Sequence, residues 1–228
     1  MDVLYADERL IVVSKPSGLL VHQGWARAPE VAVTLARRRC GRFVYPVHRL
    51  DRGASGALCF ALDADAARVL HAQFEDGRAD KRYLALVRGV APESAIVDHP
   101  LPRREGGPRV PARTELRRLA VFERYSLVEA RPRTGRLHQV RRHLKHLSHP
   151  IIGDVNYGKG EHNRLFRERF GLARLCLHAA SLRFEHPAGG AWIAAEAPLP
   201  ADLRGPFLAM GLPVDPPAAS SIKAGAPC

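Results

Sequence analysis

The chain has 228 residues, of which 46% are hydrophobic and 25% charged, a balance that fits one well-filled globular domain. Lys and Arg number 35 against 23 Asp and Glu, so the formal net charge is +12 and the expected partner is a polyanion, with nucleic acid first. No apolar run approaches the roughly 20 residues of a membrane-spanning helix, and the acidic N-terminus lacks a signal-peptide pattern, so we expect no membrane partner.

The cysteines point to a reducing compartment. Cys40, Cys59, Cys176 and Cys228 are widely separated and form no Cys-x-x-Cys pair, which argues against a disulfide framework or a zinc site. We therefore expect a cytoplasmic protein.

The first part of the chain predicts short strands mixed with helices. The predicted strands are residues 10–13, 19–21, 44–47, 57–61 and 83–87, and the turn Lys15-Pro16-Ser17-Gly18 joins the first two. A helix is predicted over 30–39, ending at Gly41, and another over 64–74, with Asp63 as its N-cap.

The second part continues the same pattern. Its predicted strands are residues 114–122, 126–131, 175–184 and 192–195, and its predicted helices are 138–145 and 201–210. Two basic segments, 101–113 and 157–171, show no core-like periodicity and are predicted as surface excursions, of which the first is expected to be flexible. Residues 213–228, rich in Pro, Ala and Ser, are predicted to be a disordered tail after one α+β domain, residues 1–212.

A single carboxylate between two predicted strands is the first candidate functional residue. Asp51 lies between Arg49 and Arg52, followed by the small residues Gly53 and Ala54, where another backbone or a ligand can come close. Spacing alone leaves two interpretations open. Asp51 is either a site residue or a turn residue whose arginine neighbours form weak surface ion pairs.

Four segments carry a family resemblance. His48-Arg49-Leu50-Asp51, followed by Ser55-Gly56, resembles motif II of the RluA-type pseudouridine synthases. The other three occur in that family's order: Lys15-Pro16-Ser17-Gly18-Leu19-Leu20-Val21-His22, Lys81-Arg82-Tyr83-Leu84-Ala85, and Thr134-Gly135-Arg136-Leu137-His138-Gln139-Val140-Arg141-Arg142-His143. Together they span most of residues 1–186.

The resemblance implies a fold, an activity and a set of site residues. The fold would be a mixed, largely antiparallel sheet with flanking helices, and the activity the isomerisation of an RNA uridine without metal, ATP or redox cofactor. Asp51 would be the catalytic carboxylate, Tyr83 would lie against the base and remove its C5 proton, and Arg141 would pair with Asp51. Arg49 resembles a residue that assists base flipping.

Two positions depart from the family pattern. Ala54 stands where the family usually has Thr, and Gly53 where it often has Pro or Asp. The sequence therefore predicts the loss of a hydroxyl hydrogen bond and a looser turn.

Basic residues outside the motifs are the expected RNA contacts. We expect the two excursions to close over RNA like opposed jaws, although solvated loops with solubilising charge explain the same composition. The predicted RNA-binding residues are Arg49, Arg52, Arg103, Arg104, Arg109, Lys159, Arg164, Arg167 and Arg169.

A histidine cluster invites a metal-site interpretation, which the spacing opposes. His138, His143, His146 and His149 do not share one helical face, and no carboxylate or thiolate lies between them. We expect no metal.

Residues 138–154, followed by His162-Asn163-Arg164, most resemble the tRNA pseudouridine-65 synthase branch. The expected partner is therefore tRNA, and no obligatory protein partner is evident. A ribosomal-RNA pseudouridine synthase remains an alternative, as does a non-catalytic RNA-binding protein or chaperone, which would explain the charge but not the combination of Asp51, Tyr83 and Arg141.

Overall fold

Short, mostly apolar strands form the centre of the protein. The computed structural model describes residues 1–23, 29–103 and 106–215. The strands are β1 (Asp2–Ala6), β2 (Leu10–Lys15), β3 (Tyr45–Pro46), β4 (Ser55–Ala61), β5 (Asp80–Arg88), β6 (Ser94–Asp98), β7 (Leu101–Pro102), β8 (Arg109–Val110), β9 (Arg113–Phe122), β10 (Tyr125–Pro132), β11 (Leu177–Glu185) and β12 (Trp192–Glu196). The described helices are α1 (Ala32–Cys40), α2 (Ala64–Glu75), α3 (Gln139–His146), α4 (Gly160–Phe170) and α5 (Ala201–Ala209).

Ten strands form one mixed sheet. Its main path runs β1-β2-β4-β11-β5-β10-β9-β6, with β12 paired to β11 and β3 paired to β4, while β7 and β8 form a separate hairpin. The β4–β11 pair is parallel, and the other named pairs are antiparallel. The predicted α+β fold, with a mixed, largely antiparallel sheet and flanking helices, is confirmed.

The alternation of side chains along a strand explains why both faces of this sheet are covered. Along β2, Ile11 and Val13 belong to the apolar cluster of α1, whereas Leu10 and Val12 belong to the cluster of α2. In the other half of the sheet, the apolar cluster includes buried side chains of α4 and α5. The sheet is thus the middle layer, and the loops at its strand ends are available for a site.

The local helix signals agree with the structure. Asp63 Oδ1 accepts a hydrogen bond of 2.8 Å from the backbone N–H of Ala66, as an N-cap does. Gly41 ends α1 in the left-handed region, with φ of 64°.

The prediction of a polar excursion without core-like periodicity over residues 157–171 is wrong. This segment contains the eleven-residue helix α4, whose residue Phe166 is fully buried and whose residues Leu165 and Phe170 pack against the core. Apolar residues at these positions share one helix face, but arginines between them obscured the pattern.

Residues 101–113 also have more structure than predicted. They carry the β7–β8 hairpin, and Leu101 and Ala112 are buried. Residues 19–21 form only an isolated bridge, between Leu20 and Val31, rather than a strand. Strands β1 and β6 were not predicted, and most of the predicted tail, residues 216–228, lies outside the described residues.

Candidate active site

A cavity of about 510 Å³ lies where the loop before β4 meets β5 and α3. Asp51 comes from the loop, Tyr83 from β5 and Arg141 from α3, and all three line the cavity. The fold therefore brings together the three residues that the sequence predicts as catalytic. Apolar and aromatic side chains, including Phe74 and Leu177, line other parts of the wall.

Asp51 and Arg141 form the ion pair that the sequence predicts. Arg141 Nη1 donates to Asp51 Oδ2 at 3.0 Å, across 90 residues of sequence. The guanidinium is buried, with 8% of its side chain exposed, whereas 23% of the Asp51 side chain is exposed toward solvent. The carboxylate thus binds a fixed, buried cation, and its exposed part remains accessible to a ligand.

A second carboxylate, which sequence reasoning missed, holds that cation. Asp154 is fully buried and binds Arg141 through both oxygens, at 2.7 Å to Nε and 2.8 Å to Nη2. Its Oδ1 also accepts hydrogen bonds from the backbone N–H groups of Asn156 and Tyr157, both at 3.0 Å. The only local signal was an Asp followed by a turn.

Electrostatics keep both members of the buried pair ionised. Burial opposes the charge on Asp154, but hydrogen bonds from Arg141 and from the backbone of Tyr157 outweigh it and lower the pKa of Asp154. Burial likewise opposes the charge on Arg141, yet Asp154 and Asp51 together raise the pKa of Arg141 above its usual range. Arg141 is therefore a permanent cation at the back of the cavity.

Tyr83 provides a flat ring at the cavity wall. It is half-buried on β5, and its direct neighbours on the adjoining strands are the small residues Ala130 and Ala179. Burial, followed by the negative charge of Asp51, raises the pKa of Tyr83 well above its usual range. The phenol is consequently neutral at neutral pH.

The turn at residues 15–18 holds the Asp51 loop in place. Gly18 N–H donates to Arg52 O at 2.8 Å, and Ser17 Oγ donates to Gly53 O at 2.7 Å. The side-chain Nζ of Lys15, a fully buried residue, donates to Leu19 O at 2.8 Å and to Arg52 O at 3.4 Å. The turn is therefore a structural support for the loop.

Comparisons with known proteins identify the family. The model of the family described as RNA pseudouridylate synthase matches residues 9–146, more than half of the chain. The chain belongs to the RNA pseudouridylate synthase family. It is therefore an RNA-modifying isomerase.

Curated relatives and solved structures agree with this assignment. A Vibrio cholerae protein named tRNA pseudouridine synthase C is 41% identical over 210 residues, covering 82% of this chain and 86% of the relative. A Salmonella typhimurium protein of the same name is 42% identical over 213 residues, covering 83% and 82%. The structure of human RNA pseudouridylate synthase domain containing 4 superposes with a TM-score of 0.76 at 26% identity, covering 92% of this chain and 93% of that one.

The departures from the family pattern leave the loop well supported. Ala54 is buried in the core, and a Cβ at position 53 would lie 3.0 Å from Leu175 Cβ, so small residues suit both places. Arg174 adds support, since its Nη2 donates to Ser55 Oγ at 2.8 Å. The loop is thus packed closely at both positions.

The predicted RNA-binding residues near the cavity fall into two groups. Arg49 and Arg103 are exposed and line the cavity, although Arg103 also lies 3.5 Å from a carboxylate oxygen of Glu75. Arg52 donates to Gly18 O at 3.0 Å and so braces the loop, and Arg109 contacts His99 at 3.1 Å. Arg104 lies outside the described residues.

The four predicted residues near α4 lie away from the Asp51 cavity. Arg164 and Arg167 are exposed and line a separate depression beside Asp154, and Lys159 is exposed at the N-cap of α4. Arg169 pairs with Glu123 at 2.6 Å and lies over the rings of Phe122 and Phe170, so its charge is already engaged.

The histidines in and around α3 make separate contacts. His143 is buried between Thr114 Oγ1, at 2.8 Å, and His99 O, at 3.0 Å, while His146 stacks on the His99 ring. Across the described ranges, no three potential ligands among His, Cys, Asp and Glu converge as a metal site requires. In the same ranges, no helix has the length and apolar character needed to cross a bilayer.

Proposed function

We propose that this protein converts a specific uridine of tRNA to pseudouridine, and that Asp51, Tyr83 and Arg141 carry the reaction. One observation supports these roles most directly: Asp51 is paired at 3.0 Å with a buried arginine in a cavity that Tyr83 also lines. The names of the relatives, tRNA pseudouridine synthase C, support tRNA as the substrate. The resemblance of residues 138–154 and 162–164 to one branch supports position 65 as the target.

The reaction breaks the C1′–N1 bond of uridine, turns the uracil and joins C1′ to C5. Asp51 attacks the sugar or the base, or removes a sugar proton, with its charge kept in place by Arg141. The cavity volume lies within the range of ligand sites, and its aromatic and apolar walls suit an extruded base. Arg49, exposed at the entrance, enters the space that the base vacates.

The last step is loss of the C5 proton, and Tyr83 has the chemistry to take it. Because its phenol is neutral, Tyr83 accepts that proton only while passing its own to a nearby base. Asp51 is the candidate base, since it lines the same cavity and its charge acts on the pKa of Tyr83. No metal or redox cofactor enters this scheme.

The first test uses RNA labelled with tritium at uracil C5, which releases the label when pseudouridine forms. We expect release from tRNA by the parent protein and none by Asp51→Asn, with RNA affinity nearly unchanged because phosphate contacts elsewhere supply most of the binding. Substantial tritium release by Asp51→Asn would show that Asp51 is a turn residue without a catalytic role. Binding without release by the parent would favour an RNA chaperone.

A map of pseudouridines in cells with and without the protein tests the target. Loss of pseudouridine at tRNA position 65 alone supports the proposal, whereas loss from ribosomal RNA assigns the protein to the alternative substrate. We also propose that residues 1–212 form the catalytic domain, with the remainder as a tail, and that the protein acts in the cytoplasm.

A further inference from the structure

A histidine faces the oxygen of Asp51 that Arg141 does not hold. His138 Nε2 lies 3.8 Å from Asp51 Oδ1, whereas Arg141 binds Oδ2. His138 precedes α3 in the left-handed region, with φ of 51° and ψ of 33°, a conformation that a non-glycine residue adopts only at a cost. An unfavourable backbone conformation thus accompanies the placement of this ring at the cavity. The roles proposed above do not use His138.

Hydrogen bonding favours one of the two neutral tautomers of His138. Arg142 Nε, which can only donate, donates to the phenol oxygen of Tyr157 at 2.8 Å. The Tyr157 hydroxyl lies 3.1 Å from His138 Nδ1, and its own proton is free to donate there. When this hydroxyl donates, Nδ1 is the acceptor, and the proton of the neutral ring lies on Nε2, toward Asp51.

The charge state of His138 agrees with this assignment. Burial, followed by the positive charges of Arg141 and Arg142, lowers the pKa of His138, although Asp51 and Asp154 oppose the shift. The imidazole is therefore neutral at neutral pH, as the bond from Tyr157 requires.

The same arrangement recurs elsewhere in the chain, where the tautomer is unambiguous. His178 Nε2 lies 3.0 Å from Ala197 O, a carbonyl that only accepts, so this nitrogen bears the proton. Its Nδ1 lies 2.9 Å from Ser55 Oγ, which accepts from the Arg174 guanidinium at 2.8 Å. In both cases an arginine binds a hydroxyl, the hydroxyl binds Nδ1, and Nε2–H points at an oxygen.

We propose that Arg142 and Tyr157 hold His138 in the Nε2-protonated form, and that this N–H positions Oδ1 of Asp51 for the reaction. The inference rests on the proposed function of Asp51. The 3.8 Å distance is longer than a hydrogen bond, and catalytic contacts of this kind commonly shorten when substrate fills the site. His138 is a positioning residue, and the two carboxylate oxygens become inequivalent, one bound by a cation and one by a neutral donor.

Two substitutions at position 138 separate this role from a backbone role. Glutamine places an amide N–H near the position of Nε2, whereas asparagine places it near Nδ1, too short to reach Asp51. We expect His138→Asn to lower kcat by roughly 10- to 100-fold, the usual effect of losing a hydrogen bond to a charged group, with little change in KM. His138→Gln should retain much more activity. If the left-handed backbone alone mattered, asparagine, which tolerates it best, would be the better replacement.

A second experiment tests the tautomer directly and does not depend on turnover. Nitrogen-15 NMR of the histidine rings, with the His138 signals assigned from the His138→Gln spectrum, should show a protonated Nε2 in the parent and a tautomer mixture in Tyr157→Phe. A protonated Nδ1 in the parent would overturn the proposal, even if the protein proved to be an active synthase. Conversely, a protonated Nε2 in a protein without synthase activity would contradict the proposed function and not the proposed hydrogen bonding of His138.

A double-mutant cycle of Tyr157 and His138 tests the same hydrogen-bond chain through kcat. Tyr157→Phe should lower kcat in the parent but cause little further loss in His138→Gln, because an amide has no tautomer to fix. Tyr45→Phe, on a ring that packs against Phe43 at the far end of β4, is the matched control and should leave kcat unchanged. Equal losses from Tyr157→Phe in both backgrounds would contradict the proposed hydrogen-bond chain.

Discussion

Replacing Asp154 by Asn tests whether the buried carboxylate holds the active-site cation. Asp154 accepts two bonds from Arg141 and two from backbone N–H groups, and it is fully buried. An asparagine has the same shape but must turn its NH₂ toward one of these donors. Breaking a buried ion pair costs about 3–5 kcal/mol, and because one oxygen survives we expect about 3 kcal/mol.

Urea unfolding measures this loss, and tritium release measures its effect on function. A decrease of about 3 kcal/mol in the free energy of unfolding shifts the unfolding midpoint by about 1–1.5 M urea when the urea slope is about 2–3 kcal/mol per M. We expect kcat to fall as well, because Arg141 loses the anchor that directs it at Asp51. The matched control is Asp202→Asn, since Asp202 also binds an arginine, Arg174, through both oxygens but is 54% exposed. That change should cost at most about 1 kcal/mol. Equal costs for the two variants would refute the reasoning.

Three further predictions follow from the site and its surroundings. Tyr83→Phe should bind RNA as the parent does but release little tritium, and full activity would exclude a chemical role for the phenol. Arg164→Ala with Arg167→Ala should raise KM for tRNA and flatten the logarithmic salt dependence of binding by roughly 0.7–0.9 for each lost phosphate contact, whereas Arg169→Ala, whose charge is engaged within the chain, should not. Burial lowers the pKa of His178 to about 4, below its unfolded value of about 6.5, so the contribution of His178 to stability should fall by up to about 3 kcal/mol as pH drops between these values. His178→Gln should remove this part of the pH dependence of stability.

The residues that could be found from the sequence share one property, which is that their signals are local or lie within a motif. Asp63 and Gly41 are helix ends that chemistry specifies within a few residues. Asp51 and Arg141 lie 90 residues apart, and no local rule predicts their contact. They were found because each lies in a segment that resembles a family motif.

The features that were missed depend on tertiary structure. Asp154 acquires its role only when α3 brings Arg141 against it, and no periodicity marks a buried ion pair. Helix α4 was missed because charged residues outnumber the three apolar side chains that face the core. Burial of Phe166 decides the conformation of that segment, and burial is a property of the whole fold.

The supports of the Asp51 loop have a consequence for sequence drift in such enzymes. The turn at residues 15–18 holds the loop through the carbonyl oxygens of Arg52 and Gly53, which are present whatever side chain occupies those positions. A substitution at position 52 therefore removes only the side-chain bond to Gly18 O and leaves these backbone bonds in place, as long as the donors Lys15 and Ser17 persist. Positions 53 and 54 remain limited to small residues by Leu175 and by the core. A homologue search that scores residue identity at position 52 would reject relatives whose loop geometry is intact, whereas one that scores the distant donors would retain them.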